Sequence, residues 1–225
     1  LRNARGELHP SPIKAAKLAI KYGASSITIH LREDRRHIKD NDLAKISKIK
    51  KIPLNLEIAA TNKMMKIAIK HKPEFICIVP EKRKEITTEG GLNLKHSKKK
   101  ISMVLKKLNQ KNIRTSLFIN PNISDIFLSK KLGAKCVELH TGKISNKIKN
   151  KKNFVKELIK IKKCAIYAQN VGLEVHAGHG IDFKTAKILS KISQIKEFNI
   201  GHFIIGESIF DGYKKIIKKF IRIIR

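Results

Sequence analysis

At 225 residues with 41% hydrophobic content, the chain can bury one sizeable core, and its length suits a single domain over 1–225. No stretch of eighteen apolar residues and no basic-then-apolar N-terminus occurs, which argues against a membrane span or signal peptide and predicts a soluble protein. The net charge of +32 would ordinarily suggest a polyanion partner, but aromatic content is 5%, Trp is absent and the Lys residues spread over every candidate helix, so dedicated nucleic-acid binding is the minor reading.

In chain order, the first signal is a helix over 15–22 with Ser11 as its N-cap and Pro12 in its first turn. It runs through Gly23-Ala24 into a short strand, Ile27-Thr28-Ile29-His30. The same unit of helix, glycine, strand and terminal polar residue recurs twice. Residues 128–132 lead through Gly133 into Cys136-Val137-Glu138-Leu139-His140, and 164–171 lead through Gly172 into Leu173-Glu174-Val175-His176. Each glycine is expected to supply a left-handed helix cap. Further strands are predicted over 54–59, 75–80, 115–120 and 198–202, which makes seven.

Strands alternating with helices through short loops imply parallel pairing and right-handed crossovers. No Gly-x-Gly-x-x-Gly follows the first strand, so the dinucleotide-binding version of such a sheet is disfavoured. The expected fold class is α/β, a (β/α)8 TIM barrel lacking its first strand at the N-terminus. Chemistry in these barrels sits at the carboxyl ends of the strands. His30, Glu57, Glu81, Glu138, His140, His176, His179 and His202 are therefore predicted at or just beyond strand ends, around one mouth. Interior strand positions are expected to be Val, Ile or Leu, because unpaired buried charge is costly.

Six of the nine Arg residues fall within the first 83 positions, outside the Lys-rich helices, and their rigid fork suits bidentate contact with phosphate or carboxylate. Arg35 and Arg36 read as surface charges. Cys77, Cys136 and Cys164 are odd in number and lie among apolar neighbours, which predicts reduced thiols and a cytoplasmic setting. His140, His176 and His179 raise a zinc reading, but His176 and His179 stand three apart in an extended segment and are expected to face apart.

Four segments carry a family resemblance: Leu1-Arg2-Asn3-Ala4-Arg5-Gly6; His30-Leu31-Arg32-Glu33-Asp34-Arg35-Arg36-His37; Val79-Pro80-Glu81-Lys82-Arg83 with Thr87-Thr88-Glu89-Gly90-Gly91; and Ala177-Gly178-His179-Gly180 with Asn199-Ile200-Gly201-His202. Together they resemble the pyridoxine 5'-phosphate synthases along essentially the whole chain. The resemblance implies condensation of 3-amino-2-oxopropyl phosphate with 1-deoxy-D-xylulose 5-phosphate to pyridoxine 5'-phosphate, phosphate and water, without metal or cofactor. It assigns general-base roles to His30 and Glu57, the general-acid role to His179, and stabilisation of a cationic transition state to Glu138. Arg32, His37 and Thr87 match positions that hold the xylulose phosphate. Arg5, Gly180, Gly201 and His202 match those that hold the aminoketone phosphate. The resemblance further implies a homo-oligomer, an octamer in that family, a lid hinged at Gly90-Gly91, and an Asn and an Asp-His pair on a strand ahead of Leu1. At His176 the family more often has Asn. A different phosphosugar isomerase or epimerase barrel is the alternative enzyme reading.

Overall fold

The computed structural model describes residues 2–81 and 90–225. Seven strands form one sheet in the order of the sequence: β1 (Ile27–His30), β2 (Leu54–Ile58), β3 (Phe75–Ile78), β4 (Arg114–Ile119), β5 (Cys136–His140), β6 (Glu174–Gly178) and β7 (Ile195–Asn199). Every neighbouring pair is parallel. Helices connect them: α1 (Pro12–Lys21), α2 (Asp40–Ile46), α3 (Asn62–His71), α4 (Leu94–Asn109), α5 (Ile123–Leu132), α6 (Gly142–Lys149), α7 (Val155–Asn170) and α8 (Phe183–Leu189), with α9 (His202–Asp211) and α10 (Tyr213–Ile224) closing the chain. β1 and β7 are the two edges of the sheet. The sheet curls far enough that the Thr28 hydroxyl on β1 donates to Asn199 Oδ1 on β7 at 2.6 Å.

The local signals act as anticipated. Ser11 accepts from the Lys14 amide at 3.3 Å, with Pro12 opening α1. Gly23, Gly133 and Gly172 carry positive φ of 107°, 93° and 72° after their helices. Boundaries shift by a few residues. The last strand is Ile195–Asn199 rather than 198–202, because Gly201 turns the chain into α9 and His202 becomes a helical residue.

The interior corrects one expectation. Alternation sends Ile29, Leu54, Leu56, Ile58, Ile76, Ile78, Leu117, Ile119, Val137, Leu139, Val175 and Ala177 into the core packed under the helices. The alternate positions, turned inward, are largely polar: Thr28, His30, Asn55, Glu57, Cys77, Ser116, Glu138, His176, Glu197 and Asn199. Glu138 and His176 accordingly stand in mid-strand inside the sheet's curve, not at strand ends. Such an interior persists because its groups pair with one another. Truncation on the helix side should cost more than truncation inside. Leu56→Ala, at a fully buried site, is expected to lower stability by about 2–5 kcal/mol in urea unfolding, whereas Asn55→Ala should cost about 1 kcal/mol, the worth of its one bond to Thr28.

Candidate active site

β1 and β2 run in register, with His30 beside Glu57, so the two side chains share the inner face one layer below the carboxyl rim. His30 Nδ1 lies 3.7 Å from Glu57 Oε2, and His30 Nε2 lies 3.7 Å from Glu81 Oε2 at the end of β3. Glu81 is itself fixed, its Oε1 accepting the Glu33 amide at 2.8 Å. Burial, reinforced by the Arg32 and His37 charges, pushes His30 down to about 4, so the ring is neutral at pH 7 and able to accept a proton. Burial pushes the Glu57 carboxyl up to about 7, and Glu81 is raised for the same reason. Burial thus favours the uncharged form of each group in this cluster, with Glu57 brought nearest to neutrality.

Glu138 lies opposite, 2% exposed. Its Oε2 accepts from Asn199 Nδ2 at 3.0 Å and from the Cys77 thiol at 3.7 Å. Its side chain reaches along the sheet to Gly178 on β6, where a Cβ would stand 1.8 Å from Oε1, so only glycine fits there. Burial first, then the charges of Glu57 and Glu197, raise this carboxyl well above the ordinary range and favour its neutral form. A neutral acid in this setting ionises readily when a cation arrives.

His179 follows β6 directly, in a left-handed backbone with φ of 79°. Its ring packs on that of His140, with centroids 4.8 Å apart, and His140 in turn meets Phe118 edge to face at 5.4 Å. Both imidazoles are held below their usual pKa by burial. His140 falls to about 4, with a contribution from His179, and His179 is lowered further by Lys149. A Cβ on Gly142, the first residue of α6, would lie within 3 Å of both rings.

The remaining predicted residues distribute as follows. Arg32 is buried, with Nε 3.4 Å from Asp34 and 3.9 Å from Glu81, which places its guanidinium beside His30's cluster. His37 is exposed in the same loop. Arg5 is exposed on a 3-10 turn, Asn3–Arg5, that is docked on that loop: Asn3 Nδ2 donates to Arg36 O at 3.0 Å and to His37 O at 2.7 Å, and Arg2 forks onto Asp42 at 2.7 Å. Gly180 has φ of 75° next to Ser145. Gly201 and His202 open α9, whose amino end has no side-chain cap. The amino end of α8, by contrast, is taken by Asp182, which accepts the Thr185 amide at 2.7 Å. Thr87, with Arg83, Thr88 and Glu89, lies outside the described residues. Gly91 is pressed against the end of β4, where a Cβ would meet the Asn120 backbone at 2.2 Å, and its amide donates to Asn120 Oδ1. Arg35 and Arg36 form surface pairs with Asp40 and Asp34.

His176 parts from His140 and His179. Its Nε2 donates to Glu174 Oε1 at 2.8 Å, at the amino end of the strands. There Cys136, Glu174 and His176 bring donor atoms within 4.8 Å of one another. The same carboxylate already binds Arg114 at 2.6 Å, and Glu197 binds it at 3.3 Å, so a guanidinium neutralises this floor. Glu81, Cys77, Asn199 and Thr141 contact these residues, and sequence reasoning alone assigned none of them a role. Glu81 and Asn199 stood inside the quoted motifs, and Cys77 was legible only once the alternation of β3 was known.

The comparisons decide the family. The model for "Pyridoxal phosphate biosynthesis protein PdxJ" matches residues 1–225. The chain belongs to the PdxJ family. A relative from Pelagibacter ubique (strain HTCC1062), described as pyridoxine 5'-phosphate synthase, is 61% identical over 220 residues, covering 98% of this chain and 92% of the relative. One of the same description from Zymomonas mobilis is 47% identical over 219 residues, covering 97% and 85%. Among solved structures, a thiamine phosphate pyrophosphorylase from Pyrococcus furiosus superposes with TM-score 0.64 at 13% identity over 96% of this chain and 90% of that one, a likeness of fold. Among the described residues no helix is long and apolar enough to cross a membrane.

The electrostatics of this PdxJ chain carry a stability signature. Glu57 is raised from 4.5 to about 7 in the fold, so its contribution to stability is full below about pH 4.5 and is lost as pH rises through about 7. Gln is neutral throughout. The stability of Glu57→Gln relative to the parent, measured by urea unfolding, should therefore increase by about 2–3 kcal/mol between pH 5 and pH 8. A difference that stays flat across that range would show that Glu57 is not buried in its neutral form.

Proposed function

We propose that this chain condenses 3-amino-2-oxopropyl phosphate with 1-deoxy-D-xylulose 5-phosphate, releasing pyridoxine 5'-phosphate, one phosphate and two waters, with no metal or cofactor taking part. The observation that carries the reading is the pairing of a neutral imidazole with a near-neutral carboxyl at His30 and Glu57, facing a buried acid at Glu138 and a second imidazole at His179. Ring formation by amine addition, dehydration and carbon attack consists mainly of successive proton transfers, and such a set can take and return protons without leaving the cavity. In this reading His30 and Glu57 serve as bases and His179 delivers a proton to a departing oxygen. Glu138 ionises against the cationic nitrogen formed as amine and ketone join.

Two phosphate ends need two anchors. Arg32, His37 and Thr87 are assigned the xylulose phosphate, and the docked turn that carries Arg5 stands beside that same loop. Gly180, Gly201 and His202 are assigned the aminoketone phosphate together with Arg5. The uncapped amino end of α9 favours an anion there, while Asp182 disfavours one at α8. The protein is further proposed to work in the cytoplasm as a homo-oligomer. Ile205, Ile209 and Phe210 on α9, 51%, 71% and 85% exposed, support the latter as an apolar face of the kind subunits cover.

Inorganic phosphate should appear only when both substrates are supplied, with product absorbance rising in step. Folded protein that gives neither would overturn the reading. His179→Ala should lower turnover about 100-fold or more, and near-normal turnover would remove it from the acid role.

A further inference from the structure

His179 holds a backbone conformation that non-glycine residues avoid, so something must impose it. Thr141 does. It is the residue that precedes α6, where a threonine hydroxyl ordinarily accepts an amide of its own first turn. Here the hydroxyl caps nothing in α6. It is fully buried and points its one proton across to the end of β6 instead, shared between the Gly178 carbonyl at 2.8 Å and the His179 carbonyl at 2.7 Å. The Thr141 amide donates to the same Gly178 carbonyl at 2.9 Å, and Ser145 Oγ holds the Thr141 carbonyl at 2.9 Å. The next residue, Gly142, leaves the gap in which the His140 and His179 rings stack.

We propose that Thr141 is a positioning residue, clasping the carbonyls on either side of the His179 Cα so that the imidazole is turned into the cavity and held on the His140 ring. The inference rests on the reading of His179 as the general acid. Thr141 touches no reacting atom, and its effect passes through the orientation of one side chain. Thr141→Val keeps the shape and removes only the donor, Thr141→Ser keeps the donor, and Gly142→Ala leaves the clasp intact but crowds both rings.

The test is steady-state kinetics on these variants with both substrates, alone and on a His179→Ala background, together with NMR titration of the histidine ring protons. Thr141→Val should lower kcat about 30- to 100-fold, the scale of a misplaced catalytic group, with KM within about threefold of the parent. Thr141→Ser should restore kcat to within about threefold of the parent, and Thr141→Val should add nothing once His179 is Ala. The His179 ring resonance should move in Thr141→Val and stay in Thr141→Ser. That readout is independent of turnover, so a fully active His179→Ala would defeat the acid role while the resonance still judged the clasp. If Thr141→Val does not fold, Thr141→Ala, which removes the same donor without adding a methyl group in its place, decides, with a comparable loss of kcat and the same movement of the His179 resonance expected. Parent-like kcat in a folded Thr141→Val, an additive loss on the His179→Ala background, equal damage from Ser and Val, or an unmoved resonance would each overturn the proposal.

Discussion

A carboxyl group buried in the middle of a β-strand is the constraint around which this interior is arranged. Glu138 can occupy its place because its side chain reaches Gly178 on β6, whose missing side chain leaves room for Oε1, and because Asn199 and Cys77 reach its other oxygen. With any side chain at Gly178 the acid would be displaced. Without Asn199 an oxygen would be left without its closest donor, in surroundings where that omission is expensive. The same asparagine accepts the Thr28 hydroxyl, so the group that steadies the acid also joins the two edge strands.

The interior divides along the strand axis by how its charge is settled. At the amino end a cation is built in: Arg114 holds Glu174 and Glu197, and His176 leans on the same carboxylates. Further along the strands, burial instead pushes the carboxyls of Glu57 and Glu138 toward their protonated forms. A guanidinium is a permanent partner, whereas a bound proton can leave. The proton-balanced half is where chemistry can happen, and it is the half that faces the loops. His176 stands level with Glu138 in the register of β5 and β6, but its ring turns toward the amino end and bonds Glu174.

Much of this was legible in the sequence, for reasons that differ by feature. The repeat of helix, glycine and strand gave the parallel sheet, because a left-handed glycine after a helix is a local backbone requirement visible at Gly23, Gly133 and Gly172. His30 and Glu57 were found as strand-end polar residues, and they are strand-end residues. Glu138 was expected at a strand end and stands in mid-strand, since reading polar residues as strand ends assumes an apolar interior. Val, Ile and Leu of these strands face the helices and leave the inside to Thr, Asn, Glu and Cys. The end of β7 was misplaced because Phe198 and Ile200 alternate with Asn199 and Gly201 in the period of a strand, and nothing local marks Gly201 as the turn into a helix. Thr141 was invisible in principle. Its role depends on a carbonyl 38 residues away, and a threonine before a helix announces an ordinary cap.

The two imidazoles of the site face opposite demands from one physical cause. Burial keeps both below their usual pKa, which suits His30, whose assigned task is to accept a proton at neutral pH. It opposes His179, whose assigned task is to donate one and which lies near Lys149 as well. In the free protein burial and Lys149 therefore both work against the protonated form of His179. A phosphoryl group seated near Gly180 and the start of α9 would bring negative charge to this ring and raise its pKa, as an opposite charge within a few ångströms does. The acid would then be loaded by the substrate that needs it, and the left-handed turn clasped by Thr141 would fix the direction in which that proton is offered.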